Sequence, residues 1–268
     1  MLLRLSIVIL LGMPVAAAAQ AFQPEPWRPG KDVVWVPTPA ETVDKMLDMA
    51  GVTPKDFVVD LGSGDGRLVI AAAKRGARAL GIEYDPEMVA LARRNAEAAG
   101  VGDKARFIQG DMYEADFSQA TVLALFLLPQ NLRRLAPKFL ALAAGTRIVT
   151  NTYRIEDWED EESATASGGC YAWCSVYRYV VPAQVAGTWH LPGGDITFTQ
   201  SFQALSGTLR ASGRDLKALG EVKGDRIHFS VGLDTYTGRV HGDSMNGQVA
   251  GATSGYWTAT RIRGQGTN

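Results

Sequence analysis

The sequence predicts an α/β unit built on an open, mostly parallel sheet, followed by a smaller antiparallel all-β unit, a barrel or a sandwich. Three observations carry this. A glycine-rich turn, Gly62, Gly64 and Gly66, joins the apolar pair Val58 and Val59 to a helical pattern. Strand-like and helix-like segments then alternate as far as about residue 183, the pattern of βα repeats. Beyond residue 186 helical periodicity stops, and short alternating runs between turns hold about half of the 29 glycines.

Taken from its start, the chain opens on one positive residue, Arg4, an apolar run from Leu5 to Val15, and small residues ending in Ala19-Gln20-Ala21. That is the three-part form of a secretory signal peptide over residues 1–21, with a core too short to span a bilayer comfortably and cleavage before Phe22. The expectation is an exported protein, periplasmic or secreted. The alternative is a cytoplasmic protein starting at Met13. No later stretch is apolar enough for a membrane helix. A formal net charge of −1 and a pI near 6.3 give no electrostatic case for nucleic acid. The expected units are residues 22–183 and 187–268.

Phe22 to Val36 is irregular and Pro-rich. Thr38, Pro39 and Glu41 then read as N-cap, first helical residue and capping box of a helix whose apolar face is Val43, Met46, Leu47 and Ala50, with Gly51 ending it. This segment is expected to fold over a ligand bound at the glycine turn, with Pro37 and Thr38 against it.

The turn itself reads Asp60-Leu61-Gly62-Ser63-Gly64-Asp65-Gly66. A dinucleotide fold wants G-x-G-x-x-G, and a phosphate loop wants Gly-Lys-Ser/Thr; this loop has neither, and the carboxylates Asp60 and Asp65 would repel a pyrophosphate. The motif resembles the first motif of class I S-adenosylmethionine-dependent methyltransferases, an acidic residue followed by this glycine pattern on a Rossmann-like sheet. The resemblance implies S-adenosyl-L-methionine as cofactor, with Asp60 and Asp65 toward its amino-acid end, where a free ammonium makes acids favourable. Glu83 ends the next strand, Ala79 to Glu83, about 20 residues after the turn, where a carboxylate accepts from a ribose diol. Asp85 and Pro86 start the following helix as N-cap and first residue.

Two further stretches sharpen the resemblance. Trp35-Val36-Pro37-Thr38-Pro39 and Phe126-Leu127-Leu128-Pro129, with the glycine motif, are similar to the small family that includes the ATP synthase c-subunit lysine N-methyltransferases, a likeness running from about Val33 to Pro182. It implies transfer of a methyl group to an amine, foremost a lysine-bearing protein. Arg106 to Gln109 reads as a third strand, and Asp111 beyond it resembles the acid that meets the adenine amino group in this superfamily. Thr121 to Leu128 reads as a buried fourth strand, Pro129 as the start of a helix, Thr146 to Tyr153 as a fifth strand, and Ser175 to Val181 as an antiparallel one.

After the fourth strand, methyltransferases of amides and bases carry Asn-Pro-Pro-aromatic; here Phe126-Leu127-Leu128-Pro129 offers no polar side chain. An aliphatic amine needs only an apolar slot with aromatic walls, and Phe126, Pro129, Tyr153 and Trp158 are its candidate walls. No His precedes His190, which excludes a histidine base from this unit. The acids of Glu156 to Glu162 around Trp158 are either a solvated loop or a lure for a cationic substrate. Cys170 and Cys174 are too few for a metal cluster and form either a short local disulfide or two structural thiols. His190, His228 and His241 show no ligand spacing, so no metal is expected.

The last unit is expected as eight short strands: 187–190, 196–202, 208–211, 218–222, 227–231, 236–240, 244–249 and 256–262. Partner binding, an apolar ligand, or capping of the catalytic unit are its open roles. Two rivals to the lysine enzyme are a non-enzymatic exported binding protein on the same fold and a small-molecule methyltransferase.

Overall fold

The computed structural model describes residues 22–263; the expected signal peptide lies outside the described residues. The first sheet has seven strands: β1 (Phe57–Leu61), β2 (Arg78–Glu83), β3 (Ala105–Gln109), β4 (Val122–Leu125), β5 (Arg147–Asn151), β6 (Glu162–Thr165) and β7 (Ser175–Val180). Their spatial order is β3-β2-β1-β4-β5-β7-β6, with β7 antiparallel between β5 and β6. The order reverses between β1 and β4, so the carboxyl ends of both open on one crevice, the place where open α/β sheets bind ligands.

Among the described residues four helices cover the sheet: α1 (Ala40–Met49), α2 (Arg67–Lys74), α3 (Pro86–Ala98) and α4 (Pro129–Leu140). Strands buried on both faces leave no polar alternation, and Val122 to Leu125 is apolar throughout for that reason. Val58, Ala79 and Val149 pack under α1, α2 and α3, while Val59, Leu123 and Ile148 pack under α4. α3 starts as expected: the Asp85 carboxylate accepts from the Glu87 amide at 2.8 Å, and Pro86 follows.

Three expectations need correction. α1 begins at Ala40 with Pro39 as N-cap and no side-chain cap, so Thr38 and Glu41 form no capping box; Thr38 is buried in the crevice instead. β4 ends at Leu125, where its pairing with β5 stops, and Phe126 to Leu128 lead into α4 with Leu128 extended before Pro129. Glu162, the last acid of the acidic run, opens the edge strand β6 in place of closing a loop.

The second unit comprises β8 (Gly187–Leu191), β9 (Gly194–Ser201), β10 (Ala204–Ala211), β11 (Arg214–Lys223), β12 (Arg226–Val231), β13 (Asp234–His241), β14 (Ser244–Ala250) and β15 (Gly255–Arg261). They form a closed antiparallel barrel, not a sandwich: β15 returns to β8 through Thr260 opposite His190 and Arg261 opposite Trp189. Eight strands enclose a space just wide enough for side chains. Trp189, Phe198, Phe229 and Trp257 fill it, with Phe229 stacked on Tyr236 at 4.6 Å. The Trp189 indole N–H donates to the Val185 carbonyl at 2.8 Å, so the buried ring leaves no unpaired donor.

The barrel meets the first unit through a hairpin tip. Phe202, in the two-residue turn between β9 and β10, has φ 49°, a conformation a bulky residue rarely adopts. Its ring stacks on Trp158 at 5.1 Å, and Trp158 packs on Tyr179 at 5.5 Å, which compensates the strained turn. Gln203 donates to the Glu159 carbonyl at 3.2 Å, and the Ala183 amide to the Gly224 carbonyl at 2.7 Å. Trp158→Ala should therefore destabilise the protein by about 3–5 kcal/mol, read by denaturant unfolding, with cofactor affinity unchanged.

Just before β1, Asp56 accepts from the Thr53 amide at 2.8 Å and from the Thr121 hydroxyl at 2.8 Å, and it pairs with Arg147. Burial alone would push its pKa up, yet the Thr53 amide, the two hydroxyls and Arg147 together hold it below the ordinary carboxylate range. A depressed carboxylate contributes stability above its unfolded pKa and loses it as pH falls through the folded value. Asp56→Asn should cost about 2 kcal/mol at neutral pH and flatten the acid limb of a stability–pH curve.

Candidate active site

The crevice at the ends of β1 and β4 is one cavity floored by the glycine turn. Gly62, Gly64 and Gly66 all have positive φ, 75°, 54° and 84°. Their roles differ. A Cβ on Gly64 would lie 2.5 Å from Trp35 Nε1, so the indole of the N-terminal segment rests directly on the turn. A Cβ on Gly66 would instead meet Phe107 at 2.6 Å and Ala92 at 3.0 Å. Gly66 does not line the cavity; it lets α2 approach the sheet, which corrects its expected place against the cofactor.

The carboxylates separate in the same way. Asp60, near the end of β1, is buried and lines the cavity, and among the described residues no donor is paired with its side chain. Burial, with the charges of Glu83 and Asp65 added, lifts its pKa well above the ordinary carboxylate range. Asp65 lines the cavity too, but Arg67 clasps it through Nε at 3.0 Å and Nη2 at 2.6 Å, while Arg67 Nη1 donates to the Thr38 carbonyl at 2.7 Å. Glu83 is fixed by two backbone amides, Gly64 N–H to Oε2 and Asp85 N–H to Oε1, both at 2.9 Å. Ser63 Oγ is buried in the turn without a partner among the described residues.

An unpaired buried acid at Asp60 suits an amino acid's ammonium, whereas the Ser63 hydroxyl lies under the turn against β2, 2.5 Å from where a Cβ on Gly81 would stand. The residues therefore fit S-adenosylmethionine. Asp111 lines the cavity as expected, with Oδ1 accepting from the Tyr113 amide at 2.9 Å and Oδ2 held by Lys31, whose hydrogen bond keeps its pKa low.

Lys31 belongs to a strap that no local sequence pattern marks. Trp27 N–H donates to the Trp35 carbonyl and Trp35 N–H to the Arg28 carbonyl, both at 2.8 Å, closing a turn over the crevice. Arg28 then reaches Asp85 at 3.0 Å and Glu87 at 2.7 Å. Pro37 and Thr38 line the cavity just behind it.

Of the four expected slot walls, Phe126 and Tyr153 are present, their rings 6.5 Å apart and near parallel. Pro129 is exposed at the start of α4, and Trp158 is buried under the barrel; neither lines the cavity. Trp173, which is absent from the sequence-based expectations, lies 5.7 Å from Phe126 and lines the cavity in their stead. Its one local signal is its place inside Cys-x-x-x-Cys. The two cysteines form a disulfide, the first of the two alternatives. The acidic run is largely neutralised: Glu156 pairs with Arg133, Asp160 with Arg154, Glu161 with Lys223 and Glu162 with Arg178. It is a surface ion-pair belt more than a lure.

Strand order, glycine turn and acid ladder together define a class I S-adenosylmethionine-dependent methyltransferase. Residues 60–162 match the model of the ANTKMT methyltransferase domain. A protein-lysine N-methyltransferase of Saccharolobus islandicus is 39% identical over 152 residues, 56% of this chain and 94% of that protein. The chain belongs to this methyltransferase family. The mouse ATP synthase c-subunit lysine N-methyltransferase is 34% identical over 130 residues, 48% of this chain, and the chain spans about half of that relative, 52%. A solved structure described as an RNA methyltransferase from Salinibacter ruber, in complex with S-adenosyl-L-homocysteine, is 44% identical with a TM-score of 0.52, over 56% of this chain and 96% of that one. The barrel lies beyond the residues that the family model matches.

Proposed function

We propose that the protein moves a methyl group from S-adenosylmethionine to an aliphatic amine, the side chain of a protein lysine. One observation carries this: the cavity that holds Asp60 and Glu83 is also walled by the Phe126–Tyr153 ring pair, and the described residues lining it include no Asn, Gln or His. A planar nitrogen needs a polar group to align it; a neutral aliphatic amine is a good nucleophile already and needs desolvation and direction. The lysine specificity of the Saccharolobus and mouse relatives supports the same choice. Against RNA stand the net charge of −1 and the lack of such an aligning amide among the described lining residues.

When bound, the cofactor supplies an electrophilic methyl on a sulfonium. Asp60 accepts its ammonium, Glu83 accepts from the ribose diol and Asp111 faces the adenine end. Gly62 and Gly64 keep side chains out of the way. Phe126 and Tyr153 exclude water from the acceptor, whose proton leaves to water or to a carboxylate.

Incubating the protein from Phe22 onward with methyl-labelled cofactor, a lysine-bearing peptide and a structured RNA tests the reading. Label should appear on lysine; label on RNA alone would overturn it. Export is part of the proposal, supported by the signal-like residues 1–21 and by the Cys170–Cys174 disulfide, a bond that persists in oxidising compartments. Cell fractionation with N-terminal sequencing should find the mature chain outside the cytoplasm, beginning at Phe22.

A further inference from the structure

We propose that Trp173, carried on the loop closed by the Cys170–Cys174 disulfide, is the specificity-determining third wall of the acceptor slot. The proposal rests on the amine reading above and adds the residue that selects the amine.

Four observations converge on it. Trp173 lines the cavity with Phe126 and Tyr153, and its ring lies 5.7 Å from that of Phe126 at an interplanar angle of 51°. A ring tilted against the near-parallel Phe126–Tyr153 pair makes an enclosure that receives a slender cationic or apolar chain end and excludes water. Second, Trp173 holds φ at 62°, a conformation that a bulky side chain adopts only when its surroundings impose it. Thr152, next to the wall residue Tyr153, is a second such case at φ 66°, and its amide donates to the Ser175 carbonyl at 2.7 Å, just past the loop. Strained non-glycine backbone on both sides of one slot marks a place where side-chain direction matters more than local stability.

Third, identifiable contacts impose this conformation. The disulfide closes the loop on either side of Trp173, with Cα atoms 5.9 Å apart. The buried Thr42 hydroxyl on α1 donates to the Trp173 carbonyl at 3.1 Å and sits 3.5 Å from Cys170 Sγ, so one helix holds both the loop and its bond. The Ala166 amide donates to the Cys174 carbonyl at 2.8 Å, closing the base. Fourth, these residues lie past residue 162, where the match to the family model ends. The turn, the acids Asp60, Glu83 and Asp111, and the walls Phe126 and Tyr153 are inside the matched region, whereas the third wall is not.

The test uses the mature protein loaded with S-adenosylhomocysteine and titrated with an unstructured lysine-bearing peptide, alongside steady-state methyl transfer to that peptide. Trp173→Ala should weaken peptide binding and raise KM about ten-fold, with kcat and S-adenosylhomocysteine affinity held within about two-fold; Trp173→Phe should restore most of the loss. Cys170→Ser with Cys174→Ser should move peptide affinity in the same direction with the Trp still present. Unchanged peptide affinity in Trp173→Ala, or a loss of S-adenosylhomocysteine binding as large as the loss of peptide binding, would overturn the role of Trp173. A wild-type protein that binds S-adenosylhomocysteine and no lysine peptide would overturn the amine reading together with it.

Discussion

Replacing Asp60 by Asn is expected to stabilise the free protein while weakening its grip on S-adenosylmethionine. The two effects share a cause. In the free protein the carboxylate is buried beside Glu83 and Asp65 with no donor among the described residues paired to it, so its charge is costly and its pKa is raised. A raised carboxylate leaves the native state most favoured below the ordinary carboxylate range, and that advantage is lost as pH rises through the raised value. Asn removes this loss, and the melting temperature of the free protein at neutral pH should rise. The bound ammonium reverses the balance, because it favours the ionised acid. Cofactor binding should release a proton and tighten with rising pH up to the raised pKa. Losing one hydrogen bond to a charged acceptor costs about 1.5–3 kcal/mol, so Asp60→Asn should bind about ten- to a hundred-fold more weakly and without proton release. Calorimetry in buffers of different ionisation enthalpy reads both quantities. Equal cofactor affinity and equal proton release in the wild type and in Asp60→Asn would remove Asp60 from the cofactor site.

Glu83→Ala should have the largest effect on cofactor affinity. Its two oxygens are already oriented by the Gly64 and Asp85 amides, at 2.9 Å each, and each oxygen retains a lone pair for a ribose hydroxyl. Two bonds to an ionised acceptor at about 1.5–3 kcal/mol each amount to about two to four orders of magnitude in dissociation constant. The variant also removes the acceptor of the Gly64 and Asp85 amides, so a fall of about 1–2 kcal/mol in stability accompanies it. Glu83→Gln keeps the shape and one acceptor, and its affinity should fall between the two. Equal affinities for wild type and Glu83→Ala would mean that the ribose lies elsewhere.

The site divides into what neighbouring residues reveal and what they do not. Asp60, Gly62, Ser63, Gly64 and Glu83 are legible because the demand on them is local: a turn that needs positive φ, a strand end that carries an acid, a helix that starts at once. Gly66 shares the positive φ but serves Phe107 and Ala92, which come from other elements. Asp111 is legible as an acid past a strand, whereas its engagement by Lys31 joins residues 80 positions apart. Tryptophan shows the limit most directly. Trp158 follows the fifth strand and stands amid acids, yet it belongs to the barrel contact because Phe202 stacks on it. Trp173 has no local sign of function beyond the flanking cysteines, yet it walls the slot.

Local pattern in the chain is enough for the two kinds of structure, the cofactor loop and the eight strands of the second unit. Period, turn residues and cap residues act within a few positions, and their energetics hold before the chain is folded. Closure of the eight strands as a barrel waits on tertiary packing, since it depends on β15, the last strand, meeting β8, the first of the unit. Packing also selects which aromatic residues face the acceptor and which acids keep an unpaired charge. Those outcomes depend on burial and on partners from distant segments, and neither exists until the helices, the disulfide loop and the strap have packed against the sheet.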